Sequence, residues 1–135
     1  LAHVHEPIWV LAADTTVVSS GEILAKPENF ADAQRIWRHL TANDHRVLTG
    51  IALWHAGKTA YCVVSTRVDF AGIPEADQKA YWDTGEPQDK AGAYAIQGRA
   101  ALYIRGIDGS YSNVVGLPLA ETAALLRDAN FPLWP

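Results

Sequence analysis

The chain has 135 residues, which is the ordinary size of a single domain with its own core. Its 49% hydrophobic and 19% charged residues, without an apolar run long enough to cross a membrane, are typical of a soluble globular protein rather than a disordered or membrane-spanning one. A net charge of −4 argues against a broad nucleic-acid-binding surface, although a small anionic ligand needs only a few local cations. Cys62 is the single cysteine, so no internal disulfide can form, and a reducing compartment such as the cytosol is compatible.

The first predicted element is a strand that ends at a carboxylate and turns back toward an ammonium group. The apolar run Ile8 to Ala13 is typical of a strand covered on both faces, and Asp14 follows it. The sequence "SSG" at 19–21 predicts a three-residue hairpin loop with glycine at the left-handed position. In that register Asp14 lies opposite Lys26 on one face, whereas a two-residue loop would place Thr15 opposite Lys26.

A helix and two strands follow. Apolar residues at helical spacing predict a helix from Phe30 to Thr41, with Asn29 as its N-cap and Asp32 as the acid of its first turn. Val47 to His55 and Thr59 to Phe70 are predicted strands, and the second alternates between apolar and polar residues as a half-buried antiparallel strand does.

The last part of the chain combines short elements with one long irregular segment. The segment "GEPQDKAGAYAIQGRAA", residues 85–101, is too rich in glycine, proline and polar residues for a plain helix or strand, and such segments tend to carry function. The flanking predictions are a helix over Glu75 to Thr84, strands over Leu102 to Ile107 and Tyr111 to Val115, and a helix over Pro118 to Ala129. The order predicts one mixed α/β domain over residues 1–135, with a largely antiparallel sheet flanked by helices.

Asp14 and Lys26 are the first candidate site. A carboxylate at a strand end can activate a water molecule or hold a divalent cation, and an ammonium group can bind phosphate as a point charge. The alternative is a structural ion pair on a hairpin, and spacing alone favours it because close acid–base pairs are common.

The irregular segment is the second candidate site. Asp89 and Lys90 are suited to extend a polar site, and the amide of Gln97 can read a base edge through its paired donor and acceptor groups. An ordinary capped loop is an equally open alternative. His3 and His5 have the spacing of a ligand pair, but no cysteines complete a zinc pattern, so a zinc site is not predicted.

Five stretches, in this order, resemble the Maf family of nucleoside triphosphate pyrophosphatases: "LAADTTVV", "GEILAKPENFADAQRIWRHL", "HRVLTGIAL", "TGEPQDKAGAYAIQG" and "GSYSNVVGLPL". Together they span nearly the whole chain, and "DKAGAY" and "IQG" are most similar to the branch that prefers dTTP and UTP. The resemblance implies a Maf/ITPase-like fold and a cytoplasmic, metal-dependent enzyme, often a homodimer. Such an enzyme cleaves between the α and β phosphates and releases a monophosphate and pyrophosphate.

The resemblance also implies roles for individual residues. Asp14 falls on the catalytic acid of the family, expected to accept a proton from the attacking water and to help hold Mg²⁺ or Mn²⁺. Lys26 falls on a lysine that contacts phosphate. Base selection is implied for Thr15 and Gln97, and a place near the nucleotide for Asp89 and Lys90.

One part of the family pattern has no counterpart in this sequence. The family opens with a strand and a Ser-x-Ser-Pro-Arg-Arg segment that grips the triphosphate, whereas this chain enters "PIWVLAAD" within eight residues and contains no methionine. We therefore expect an N-terminally truncated chain with little or no hydrolysis of its own. The alternatives are a nucleotide-binding or cell-division-regulating protein without turnover, and a truncated remnant that dimerises through exposed core.

Overall fold

One antiparallel sheet forms the centre of the fold, as seen in a computed structural model that describes residues 7–135. The helices and strands have these bounds: β1 Trp9–Ser19, β2 Glu22–Leu24, α1 Phe30–Ala42, β3 His45–His55, β4 Lys58–Phe70, α2 Glu75–Asp83, β5 Ile104–Asp108, α3 Tyr111–Val115 and α4 Leu119–Asp128. The strand order is β2-β1-β3-β4-β5, and every neighbouring pair is antiparallel. The predicted α/β class is therefore confirmed. No helix within residues 7–135 is long and apolar enough to cross a membrane, and His3 and His5 lie outside this range.

The turn between β1 and β2 contains two residues, so the predicted three-residue loop is wrong. Ser20 and Gly21 have φ angles of 49° and 76°, and positive φ at both central positions is typical of a type I′ hairpin turn. Ser19 pairs directly with Glu22 across this turn. The backbone twist of a type I′ turn matches the right-handed twist of the two strands.

The physical reason for this register is the burial of Leu24. Leu24 pairs with Val17 inside the core, where the two residues are 1% and 3% exposed. A shift by one residue would move Leu24 to the opposite face of the sheet. The observed register instead places Thr15, rather than Asp14, on the same face as Lys26, so the prediction that Asp14 and Lys26 share a face is also wrong.

The helices cover one face of the sheet, and the hydrophobic core lies between the helices and that face. Trp37 of α1, 1% exposed, donates its indole N–H to Ala93 O at 2.8 Å and thereby joins α1 to the irregular segment. The N-cap prediction for α1 is confirmed, because Asn29 Oδ1 accepts from Asp32 N at 2.8 Å. The buried apolar residues that the strands contribute to this face are Val17, Leu24, Val47, Ile51, Leu53, Val68 and Phe70.

Within residues 7–135, the other face of the sheet is exposed to solvent, and we call it the open face. Tyr61 and Val63 of β4 are 77% and 68% exposed there. The prediction that the run from Ile8 to Ala13 is covered on both faces is therefore wrong within residues 7–135, because Val10 is 52% exposed. The residues whose side chains lie on the open face include Val10, Asp14, Ile23, Trp54, Tyr61 and Val63.

The segment from Tyr111 to Val115 is a helix rather than the predicted strand. Ser110 is its N-cap, with Oγ accepting from Asn113 N at 3.1 Å, and Gly116 closes it with a φ of 136°. The β-branched and aromatic residues of this segment suggested a strand, but the serine cap and the buried side chain of Asn113 favour the helix. The predicted strand before it and the predicted helix after it are confirmed as β5 and α4.

Candidate functional site

A pocket of about 250 Å³ lies where β1, the irregular segment and the end of α3 meet on the helix-covered side of the sheet. Five of the six residues that the sequence proposed for the site line this pocket: Thr15, Lys26, Asp89, Lys90 and Gln97. Strand β1 supplies Thr15 and the chain after β2 supplies Lys26. The fold thus brings together residues that are up to 82 positions apart in the sequence.

Two ammonium groups and one carboxylate give the pocket its charge. Lys90 Nζ lies 3.2 Å from Asp89 Oδ1, and this hydrogen bond, followed by the charge of Lys90, lowers the pKa of Asp89. Lys26 lines the same pocket as this pair, and its charge lowers the pKa of Asp89 further. Lys26 makes no salt bridge within residues 7–135. The pocket therefore has a surplus of positive charge that can receive an anion such as phosphate.

Thr15 presents an acceptor to the pocket. Its Oγ1 donates to Gly116 O at 3.2 Å and lies 2.9 Å from Oγ1 of Thr49, which is fully buried. When the proton of Thr15 is directed at Gly116 O, Thr49 donates either to Thr15 or to Asn113 O at 3.5 Å, and in both cases at least one lone pair of Thr15 stays available. A ligand that offers an N–H donor at this point meets a suitable partner.

Gln97 lies at the mouth of the pocket on the irregular segment. Its side chain is exposed, whereas Ala95 and Ile96 before it are buried. Gly98 N donates to Ala95 O at 3.0 Å and closes a tight turn around Gln97. The amide therefore projects from a well-packed backbone and offers one acceptor and two donors to a ligand.

Tyr94 forms the floor of the pocket and rests on a buried histidine. His45 Nε2 lies 2.8 Å from the Tyr94 hydroxyl, and His45 is 1% exposed. Burial lowers the pKa of His45 to about 4 and raises the pKa of Tyr94, so both side chains are neutral near pH 7. No role was predicted for His45 from the sequence, although His45 shares the face of Val47 by simple alternation along β3.

Asp14 does not line this pocket, because adjacent residues of a strand point to opposite faces. It lies on the open face beside a shallow trough of about 320 Å³, whose floor contains Ala12, Gly50 and Ala52. Gly50 is the direct partner of Asp14 on β3, so no side chain of β3 screens the carboxylate at that position. Asp14 is exposed and lies next to Thr15 in sequence, but on the other side of the sheet.

The donor set around Asp14 fits a divalent cation only in part. Within residues 7–135, no group of three or more His, Cys, Asp or Glu side chains is placed to hold a metal ion. Mg²⁺, however, is usually bound by one or two carboxylates together with water and substrate phosphates. Asp14 is therefore suited to be one protein ligand of a cation whose other ligands include phosphate oxygens.

The third wall of the pocket was missed by the sequence analysis. Val114, Val115 and Gly116 form it, and they come from the end of α3. The stretch "GSYSNVVGLPL" contains these residues and contributed to the family resemblance, but no chemistry-bearing side chain marked them. Their contribution is a backbone carbonyl, on Gly116, and an apolar surface.

Comparison with known proteins identifies the relatives of this chain. A profile of the family described as Maf-like protein matches residues 1–129. The dTTP/UTP pyrophosphatase of Hahella chejuensis is 46% identical over 129 residues, which cover 96% of this chain and 64% of that protein. The dTTP/UTP pyrophosphatase of Anaeromyxobacter dehalogenans strain 2CP-C is 53% identical over 128 residues, covering 92% of this chain and 66% of that protein. That of Dechloromonas aromatica is 48% identical over 122 residues, with 90% and 61% covered.

The chain spans slightly less than two thirds of the length of these relatives, at 61% to 66%. The family profile nevertheless matches all but the last six residues of the chain, and it includes every residue of the pocket. The chain belongs to the Maf family.

Proposed function

We propose that this chain is part of a nucleoside triphosphate pyrophosphatase that hydrolyses dTTP or UTP to the monophosphate and pyrophosphate. The observation that carries the proposal is a single pocket lined by Lys26 and Lys90 together with Thr15 and Gln97. These residues offer cations for a phosphate chain and hydrogen-bonding groups for a base. The relatives named dTTP/UTP pyrophosphatase support the same substrate class.

Base selection follows from the hydrogen-bonding groups that Thr15 and Gln97 present to the pocket. Uracil and thymine present an N3–H donor, whereas the N3 atom of cytosine is an acceptor. Thr15 directs its proton at Gly116 O and so presents a lone pair, which suits the N3–H donor. The amide of Gln97 can pair with a neighbouring carbonyl oxygen of the base. A site built for such hydrogen bonds rejects an analogue that leaves buried polar groups unpaired.

The phosphate chain would reach Asp14 around the free edge of β1. Strand β2 pairs with β1 only from Val17 to Ser19, so the outer edge of β1 beside Asp14 and Thr15 has no strand partner within residues 7–135. A nucleotide whose base lies near Thr15 can bring its α phosphate to this edge, between the Lys26 and Lys90 ammonium groups of the pocket and the Asp14 carboxylate of the open face. The edge thus joins the pocket and the carboxylate, although they lie on different faces of the sheet.

Asp14 is then the proton acceptor for the water that attacks the α phosphorus. The bond between the α phosphorus and the bridging oxygen breaks, and pyrophosphate leaves with the electron pair. Lys26 and Lys90 stabilise negative charge on the phosphates, and Asp89 holds the Lys90 ammonium group in place. A bound Mg²⁺ or Mn²⁺ held in part by Asp14 would supply charge neutralisation on the phosphate oxygens.

The experiment is an assay of pyrophosphate release from dTTP, UTP, CTP and dATP with Mg²⁺ or Mn²⁺. It compares the protein at its full natural length with residues 1–135 alone. We expect Asp14→Asn to lower kcat by at least about a hundredfold in the full-length protein, because a general base contributes about 10²–10⁴ in rate. The matched control is Asp44→Asn, which removes an exposed carboxylate at 3.7 Å from Arg67. Equal activity of Asp14→Asn and wild type would refute the mechanism.

Two further outcomes separate the alternatives. Tight dTTP binding with no pyrophosphate over hours, at full length, would favour a nucleotide-binding regulator instead of an enzyme. The homodimer and the cytoplasmic location are proposals that rest on the family resemblance alone. Light scattering of the full-length protein tests the homodimer, and a monomer at assay concentration would contradict it.

A further inference from the structure

The carboxylate of Glu86 accepts hydrogen bonds from backbone N–H groups of the loop that contains Gln97. Glu86 Oε1 accepts from Arg99 N at 2.9 Å, and Oε2 accepts from Ala100 N at 3.3 Å. Glu86 is itself held, because its backbone N–H donates to Thr84 Oγ1 at 3.2 Å. Hydrogen bonds to a carboxylate are stronger than those between neutral groups, so this contact fixes the chain directly after Gln97.

Tyr81 fixes the chain on the other side of Gln97. Its hydroxyl donates to Glu86 Oε2 and accepts from Ala95 N at 3.4 Å. Tyr81 is 4% exposed, and burial together with the Glu86 carboxylate raises its pKa, so the hydroxyl keeps its proton. One side-chain pair therefore holds backbone groups two residues before and two residues after Gln97.

The packing between Glu86 and the loop leaves no space for a side chain at position 98. A Cβ atom added to Gly98 would collide with the carboxylate of Glu86. Gly98 has a φ of −106°, so its backbone has no need of glycine for a left-handed conformation. Close approach to Glu86 is the reason for glycine directly after Gln97.

We propose that Glu86 and Tyr81 are positioning residues that set the orientation of Gln97 and so determine how strictly the pocket selects its base. This inference rests on the proposed function, in which Gln97 contacts the base. An exposed side chain binds a ligand more tightly when its backbone is already fixed, because less conformational freedom of the protein is lost on binding. Neither Glu86 nor Tyr81 lines the pocket, so both act through Gln97.

The first test measures selectivity in the full-length protein. Glu86→Ala is expected to raise KM for dTTP by about tenfold and to lower the ratio of kcat/KM for dTTP over CTP by a similar factor, while kcat for dTTP changes less than about threefold. Tyr81→Phe should shift the same ratio in the same direction by a smaller factor. The matched control is Asp83→Asn, which removes a surface partner of Lys79 near the same loop and should leave the ratio unchanged.

The second test uses the steric contact and needs no turnover. Binding of dTMP by calorimetry is compared for wild type, Gly98→Ala, Glu86→Ala and the double variant. Gly98→Ala should weaken dTMP binding in the wild-type background but cause no further loss in the Glu86→Ala background, since the colliding carboxylate is then absent. Additive losses would overturn the inference.

The outcomes distinguish this inference from the proposed function. A selective wild-type enzyme whose ratio for dTTP over CTP is unchanged by Glu86→Ala would overturn the inference alone. Equal losses of kcat/KM for both nucleotides, with the ratio intact, would likewise show that Glu86 only stabilises the fold. A full-length wild-type protein that neither hydrolyses dTTP nor binds dTMP would overturn both.

Discussion

Replacing Asn113 should lower the free energy of unfolding more than replacing any other amide side chain within residues 7–135. The side chain of Asn113 hydrogen-bonds to two strands and so holds α3 against the sheet. Asn113 is fully buried, and its Nδ2 lies 3.0 Å from Val47 O, 3.1 Å from Val64 O and 2.9 Å from Thr66 Oγ1. The amide has two protons for these three acceptors, so two hydrogen bonds are at stake. Its Oδ1 is buried without a partner within residues 7–135.

The expected magnitude for Asn113→Ala follows from these contacts. Loss of two hydrogen bonds costs about 2 kcal/mol, and the acceptors left without a donor add about 1 kcal/mol. The cavity left by the amide adds about 1 kcal/mol. Removal of the unpaired Oδ1 returns about 1 kcal/mol, because that atom no longer carries a desolvation penalty. We therefore expect a loss of about 3 kcal/mol in the free energy of unfolding.

Urea denaturation of the full-length protein, followed by circular dichroism, measures this change. The matched control is Asn43→Ala at the end of α1, where Nδ2 donates to His39 O at 3.0 Å and Oδ1 accepts from Ser20 Oγ at 3.0 Å. Because the contact with Ser20 is exposed to water, the loss should stay at about 1 kcal/mol. Asn113→Asp should cost at least as much as Asn113→Ala, because an ionised carboxylate cannot donate to the three acceptors. Equal losses for Asn113→Ala and Asn43→Ala would refute the reasoning, and so would an Asn113→Asp variant more stable than Asn113→Ala.

Three further predictions concern the pocket, the buried histidine and a helix cap. Lys26→Ala should lower kcat/KM for dTTP by about tenfold or more in steady-state assays, with Lys26→Arg retaining part of the activity, because a phosphate loses a cation. His45 has a folded pKa of about 4 against 6.5 unfolded, so the unfolded state binds more protons between these values and stability should fall by up to about 3 kcal/mol as pH drops from 7 to 4. Urea midpoints across this range check the slope, and His45→Gln should flatten it. Asn29→Ala should cost about 1 kcal/mol by the same method, and no change would contradict its role as N-cap.

The elements with strong periodicity were predictable from the sequence. Strand β4 alternates between more buried and more exposed residues from Cys62 to Phe70, and its buried Thr66, Val68 and Phe70 lie on the predicted face. Helix α1 combines a cap with regular apolar spacing, and its start at Phe30 agrees with the prediction. Both signals are local, so the sequence around each element contains all that decides it.

The errors arose where distant contacts decide between local alternatives. "SSG" is compatible with a two-residue or a three-residue loop, and only the burial of Leu24 against Val17 selects the shorter one. The helix from Tyr111 to Val115 depends on Asn113, whose acceptor Val47 O is 66 positions away. Propensity could not anticipate either contact.

For the site, the residues were predictable but their arrangement was not. Resemblance named six residues, and five of them line one pocket. The turn length placed Asp14 on the opposite face, which changes the expected path of the substrate rather than its identity. Glu86 lies in one of the stretches that resemble the family, but no role was predicted for it. The groups that donate to its carboxylate are the backbone N–H groups of Arg99 and Ala100, which no side-chain pattern reveals.

The open face has a consequence for solution measurements on residues 1–135 alone. Trp54, Tyr61 and Val63 are exposed on a sheet that also presents the unpaired edge of β1 within the described residues, and such surfaces promote association between chains. Association stabilises folded protein by mass action, so denaturation midpoints depend on protein concentration. Variants are therefore comparable only at one fixed concentration, and a dilution series on the wild type shows where that dependence ends.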